Sequence, residues 1–180
     1  MYRGQSNPQI VLRPQDLVVL LRLALAPGEM PTYAALAAEL GMTASEIHAA
    51  LERAVLARLT RKDAGKPVVL REALKKFVTH GACYAFPVLR GEATRGLPTG
   101  YAAPPLKDRI VQPNELPPVW PHKKGEVRGM AFYPLYPTVP EAAGRNPDLY
   151  ELLALFDAIR GGSARERTLA VELMAKRLGD

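Results

Sequence analysis

The run Tyr33-Ala-Ala-Leu-Ala-Ala-Glu-Leu-Gly-Met-Thr-Ala-Ser-Glu-Ile-His-Ala-Ala-Leu51 decides how the first half of this chain reads. Thr32 can cap a helix after Pro31, with Leu36, Ala37 and Leu40 on its apolar side and Gly41 as its stop. Thr43-x-x-Glu46 is a capping box that opens a new helix two residues later. Its apolar stripe is Ile47, Ala50, Leu51, Ala54 and Val55, at the spacing of one helical face. Ala37, Gly41 and Ile47 meet three physical needs of two helices joined by a tight turn. A small side chain lets the helices cross closely, glycine takes the unusual backbone angle, and an aliphatic residue packs beneath.

Upstream, Pro14 suits a first helical position and Asp16 the first turn of a helix carrying Leu17, Leu20, Leu21, Ala24 and Leu25 inward. Pro27-Gly28 ends it. Met1–Arg13 reads as an extended leader, in which Ile10-Val11-Leu12 suit a short strand. Downstream the period changes. Leu59–Arg61 and Pro67–Leu70 read as two short strands around the basic turn Lys62-Asp63-Ala64-Gly65-Lys66. A fourth helix follows from about Arg71 to Ala85, with Leu74, Phe77, Val78 and Gly81 inward, and Pro87 closes it.

Residues 87–140 hold 11 of the 17 prolines, so long helices are excluded there. Val119, Trp120, Met130, Phe132, Tyr133, Leu135 and Tyr136 are too apolar for a free linker. An ordered irregular segment is expected, with a small hairpin around Lys123-Lys124-Gly125. Its aromatics either pack on the helices or dock a partner protein. Asn146 can cap a helix starting at Pro147, with Leu149, Leu152, Leu153, Phe156 and Ile159 along one side. Ser163-x-x-Glu166 opens the last helix, to about Leu178, and a pair joined by so short a loop should fold back as an antiparallel hairpin.

The order of helix, helix, tight turn, helix, hairpin and helix resembles a winged helix-turn-helix, and the run from Tyr33 to Leu51 is similar to that of MarR-like regulators. The expected fold class is mainly α with a small β wing. A winged helix-turn-helix domain over residues 10–90 precedes a proline-rich segment and C-terminal helix pair over 91–180. The resemblance implies a sequence-specific, double-stranded DNA-binding transcriptional regulator. Its recognition helix, 43–57, would enter the major groove. Its wing, 59–70, would lie on phosphate or in the minor groove. Ser45, His48, Glu52 and Arg53 would reach base edges, with Thr43 or Ala44 near the backbone, while Arg61, Lys62 and Lys66 would touch phosphate or the minor groove. These regulators often carry glycine just before the leucine that enters the wing, where this chain has Arg58 before Leu59. If that position is left-handed, arginine costs about 1 kcal/mol or more. Leu56 falls on the exposed stripe, to be covered by the wing or by a second subunit.

Charge supports a polyanionic partner independently. The net charge is +6, and Arg58–Lys76 carries seven cations against two carboxylates. The single cysteine, Cys83, forbids an intramolecular disulfide and suits a reducing cytoplasm. The longest apolar stretch is too short to span a bilayer. His80-x-x-Cys83 lacks the ligands to close a zinc site, and Gly91-x-x-x-x-Gly96 lacks the lysine of a phosphate loop. Asp108, Glu115 and Glu126 show no spacing for paired acid–base work. No enzyme and no cofactor are expected, and a homodimer is. The middle segment and terminal helices also resemble those of small proteins that accompany nucleotidyltransferase-like toxins. That implies an alternative, an antitoxin-type interaction partner of a toxin enzyme with an autoregulatory helix-turn-helix.

Overall fold

Helix α1 (Pro14–Ala24) opens where Asp16 reaches back to accept the Arg13 amide at 2.9 Å. The expected stripe Leu17, Leu20, Leu21 and Ala24 is buried, but so are Val18, Val19 and Leu23. A helix apolar all round is covered all round: α3 packs on one part of α1 and α7 on another. The computed structural model describes residues 11–179 other than Pro27 and Glu29. Ile10 lies outside the described residues, and Val11-Leu12 form no strand.

Helices α2 (Tyr33–Leu40) and α3 (Ala44–Leu56) start on the threonines their sequence supplies. Thr32 Oγ1 accepts the Ala35 amide, while Thr43 and Glu46 close a reciprocal capping box. Gly41 ends α2 at φ 66°, ψ 37°. Strands β1 (Thr60–Asp63) and β2 (Lys66–Val69) pair antiparallel, with Asp63 opposite Lys66. The connection is therefore two residues, Ala64-Gly65, both at positive φ, tighter than the five-residue turn the sequence suggests. A type I′ turn, one of the two favoured in two-residue hairpins, requires this left-handed pair to match the strand twist.

A helical path runs on through α4 (Arg71–Lys76), a π-helical turn (Phe77–Gly81) and α5 (Ala82–Ala85). Leu74 and Val78 are buried as expected, but Gly81 is only half-buried and faces the Phe77 ring, which a Cβ there would approach to 3.2 Å.

The middle segment is more regular than its prolines suggest. Strands β3 (Arg90–Pro98), β4 (Pro118–Pro121) and β5 (Val127–Phe132) close on one another. β3 pairs antiparallel with both, while β4 and β5 run parallel where they meet. The expected hairpin at Lys123-Lys124-Gly125 is therefore absent among the described residues. Gly96 pairs with Pro121 on one side and Val127 on the other, so the intervening turn must cross β3. Glycine at both crossing points makes this possible: a Cβ on Gly125 would stand 2.3 Å from the Gly96 backbone, and one on Gly96 2.0 Å from the Trp120 carbonyl.

Helix α6 (Val139–Arg145) leads through Asn146, which caps α7 (Pro147–Gly161), and α8 (Ala164–Gly179) packs back on α7. α7 buries Leu149, Leu152, Leu153, Phe156 and Ile159, and also Ala154, Leu155, Asp157 and Ala158. Its large side chains contribute about 1.5–3 kcal/mol each by burial, which makes α7 the main apolar support of the second half. Asp157 is tied down in that core, accepting from Trp120 Nε1 (2.5 Å), Thr99 Oγ1 (2.7 Å) and Arg160 Nε (2.7 Å). The chain is thus mainly helical with a small β component. One apolar cluster runs from Leu17 to Leu178, so the composition change near residue 90 does not divide the core. No helix among the described residues is long and apolar enough to cross a membrane.

Candidate nucleic-acid interface

The face of α3 opposite Ile47, Ala50 and Leu51 carries Thr43, Ala44, Ser45 and His48, all exposed. His48 meets the Tyr33 ring edge-on, with centroids 5.9 Å apart, so the start of α2 borders the same surface. Further along, Glu52 Oε1 receives Lys62 Nζ at 2.7 Å. The ammonium holds the Glu52 carboxyl below its ordinary range, and Glu52 raises Lys62 in turn. This contact joins the outward face of α3 to the basic hairpin.

Arg53 is not part of that face. Its Nε and Nη2 hold the two carboxylate oxygens of Asp16 at 2.7 and 2.6 Å, and Asp16 is only 1% exposed. Ser45, His48 and Glu52 follow one helical stripe, whereas residue 53 lies about 100° further round. That turn points Arg53 at the first turn of α1.

The hairpin cations divide as well. Alternation along a strand puts Lys62 with Thr60 on one side of β1 and Arg61 with Asp63 on the other. Directly opposed residues share a side, so Lys66 joins Arg61. Arg61 meets Asp63 at 3.5 Å, both exposed. Lys66 is exposed and has no salt-bridge partner among the described residues. Lys62 therefore faces α3, while Arg61 and Lys66 occupy the other side of the hairpin.

Several residues that matter here carry no local signal. Tyr136 O–H donates to Glu46 Oε1 at 3.1 Å, and Thr138 Oγ1 donates to the Leu40 carbonyl at 2.6 Å. Arg145 Nη1 caps the end of α2 through the Ala38 and Glu39 carbonyls. Burial raises Glu39, but hydrogen bonds from Arg22 and Asn146 outweigh it and hold the carboxyl below its ordinary range. The α2–α3 turn is thus bolted from behind by residues about 100 positions away, leaving the Thr43–Ser45–His48 face open. Only the Asn146 cap was legible among these, and only as a cap for its own helix.

Arg58 stands between α3 and β1 at φ 57°, the left-handed region its place before Leu59 suggests. Leu56 is 60% exposed, so the hairpin does not cover it. Comparison with protein families, with curated proteins and with solved structures finds no match for this chain.

Proposed function

We propose that the chain is a sequence-specific double-stranded DNA-binding transcriptional regulator whose N-terminal part is a winged helix-turn-helix of the MarR-like kind. α3 enters the major groove, and the β1–β2 hairpin acts as the wing. One observation carries this reading: the Lys62–Glu52 contact sets a cationic hairpin beside an α3 face that the rest of the chain leaves exposed. Ser45 and His48 are the candidate base readers, while Lys62, Lys66 and Arg61 supply phosphate contacts. Thr43 works chiefly as the cap that fixes the end of α3. Glu52, neutralised by Lys62, positions the wing; a cytosine amino group is the base contact open to it if Lys62 moves to phosphate.

The exposed Leu56 supports a homodimer, in which a second subunit covers it and doubles a thin reading face. A second reading has its own support. Leu89 and Tyr133, 68% and 49% exposed, are joined by the Tyr133 amide on the Leu89 carbonyl. Exposed aromatics concentrate at protein interfaces, as an antitoxin-type partner of a toxin enzyme would require.

Fluorescence anisotropy with the chain's own upstream DNA, run beside a scrambled duplex, tests the main reading. Salt-sensitive binding with preference for the upstream duplex is expected. Binding to neither duplex at low salt rejects it.

A further inference from the structure

We propose that the outer face of the β3–β5 pair, together with the turn after β4, is a second phosphate-backbone contact on the same duplex. This deepens and rests on the DNA-binding reading above. It starts from a register: Arg95 of β3 stands directly opposite Arg128 of β5. Opposed residues share a face with Cβ atoms about 5 Å apart, and like charges so placed repel. Both arginines are exposed, and neither has a salt-bridge partner among the described residues.

The crossing turn adds to them. The His122 amide donates to the Arg95 carbonyl at 3.2 Å, and Gly125 passes against Gly96. Lys123 and Lys124, both exposed and also without ion pairs among the described residues, are thereby held beside Arg95 and Arg128. Glu92 and Glu126 are the carboxylates nearest in sequence and Glu141 approaches His122 in space, so four cations stand against three carboxylates. Four cations at one end of a small closed sheet suit a polyanion spaced like a phosphate backbone.

Contacts trace the way from this patch to α3. His122 Nε2 lies 3.8 Å from Glu141 of α6. The residues just before α6, Tyr136 and Thr138, bond Glu46 and the Leu40 carbonyl at the α2–α3 turn. The patch is thus linked through α6 to the residues that brace the α2–α3 turn.

The test uses the full chain and two duplexes sharing one central site, of about one and about three helical turns (~10 bp per turn). Arg95→Glu with Arg128→Glu keeps the like-charge pairing, so its effect on folding is small. Lys123→Ala with Lys124→Ala is the second variant, and thermal melting verifies both. The wild type should bind the longer duplex more tightly. Each variant should lose most of that advantage, with a salt slope lower by about 0.9 for each phosphate contact removed, while binding of the short duplex stays within about twofold. Unchanged affinity and slope on the longer duplex overturn the proposal and leave the face to an acidic protein partner. A wild type that binds neither duplex overturns the DNA-binding reading itself, and this contact with it.

Discussion

The Arg53 guanidinium grips both oxygens of the Asp16 carboxylate, from a helix whose Ser45 and His48 face outward. Removing one partner of a buried pair strands the other. Arg53→Ala should therefore cost about 3 kcal/mol of stability, read by urea denaturation. Arg53→Lys keeps the charge without the two-pronged geometry and should lose less. Arg53→Lys should also leave the ratio of upstream to scrambled DNA affinity unchanged. A drop in that ratio at full stability would return Arg53 to the reading face.

Base reading is assigned instead to Ser45 and His48. Ser45→Ala with His48→Ala should narrow the preference for the upstream duplex by about 1–3 kcal/mol for each base hydrogen-bonding pair removed, and affect general affinity less. Lys62→Ala with Lys66→Ala should do the reverse, weakening all duplexes and flattening the salt dependence. Equal salt slopes before and after would reject the hairpin as a phosphate contact.

Arg58 sits at φ 57° and Ala64 at φ 47°, conformations that a side chain makes costly. Arg58→Gly should stabilise the chain by about 1 kcal/mol, less the entropy that glycine adds to the unfolded state. Ala64→Asn should also stabilise it, because asparagine suits the first position of this turn. Urea midpoints measure both, and a lower midpoint for Arg58→Gly counts against left-handed strain at that position.

Gly41 combines a left-handed backbone with a near neighbour. A Cβ there would stand 3.1 Å from Thr138, whose hydroxyl holds the Leu40 carbonyl. Gly41→Ala should then cost more than the roughly 1 kcal/mol of backbone strain alone. Pairing it with Thr138→Ser, which removes the crowding methyl, should recover part of the loss in a double-mutant cycle.

Burial pushes the Tyr150 phenol up to about 12, and its O–H donates to the Pro98 carbonyl at 2.7 Å. In the unfolded chain it titrates near 10. The folded state therefore keeps a proton that the unfolded state gives up, and stability falls as pH rises from about 10 through about 12. Below that window the contribution is complete. Tyr150→Phe should lower stability near neutral pH by about 1 kcal/mol and make the alkaline decline shallower. An unchanged alkaline slope in urea titrations would exclude Tyr150 as its source.

Much of the first half was legible because its signals are local. Thr32, Thr43 and Glu46 cap helices through amides three residues away, and Gly41 stops α2 through its own φ. The stripe Ile47–Ala50–Leu51–Ala54 needs only the helical period to declare its buried side. Strand β3 was not legible. Its residues Arg90-Gly-Glu-Ala-Thr-Arg-Gly-Leu-Pro98 lack both β-branched density and apolar alternation. It becomes a strand because β4 and β5 flank it.

Caps and periodicity act within one or two turns of chain, so the order of residues was enough to settle where α2 and α3 begin and the apolar stripe that α3 buries, but not that α1 is covered all round. Packing of distant segments settled the rest: that Arg53 turns to Asp16, that Tyr136 and Thr138 brace the α2–α3 turn, and that Arg95 meets Arg128. Each of these joins residues that come together only when the chain is folded, and no local rule specifies such a pairing.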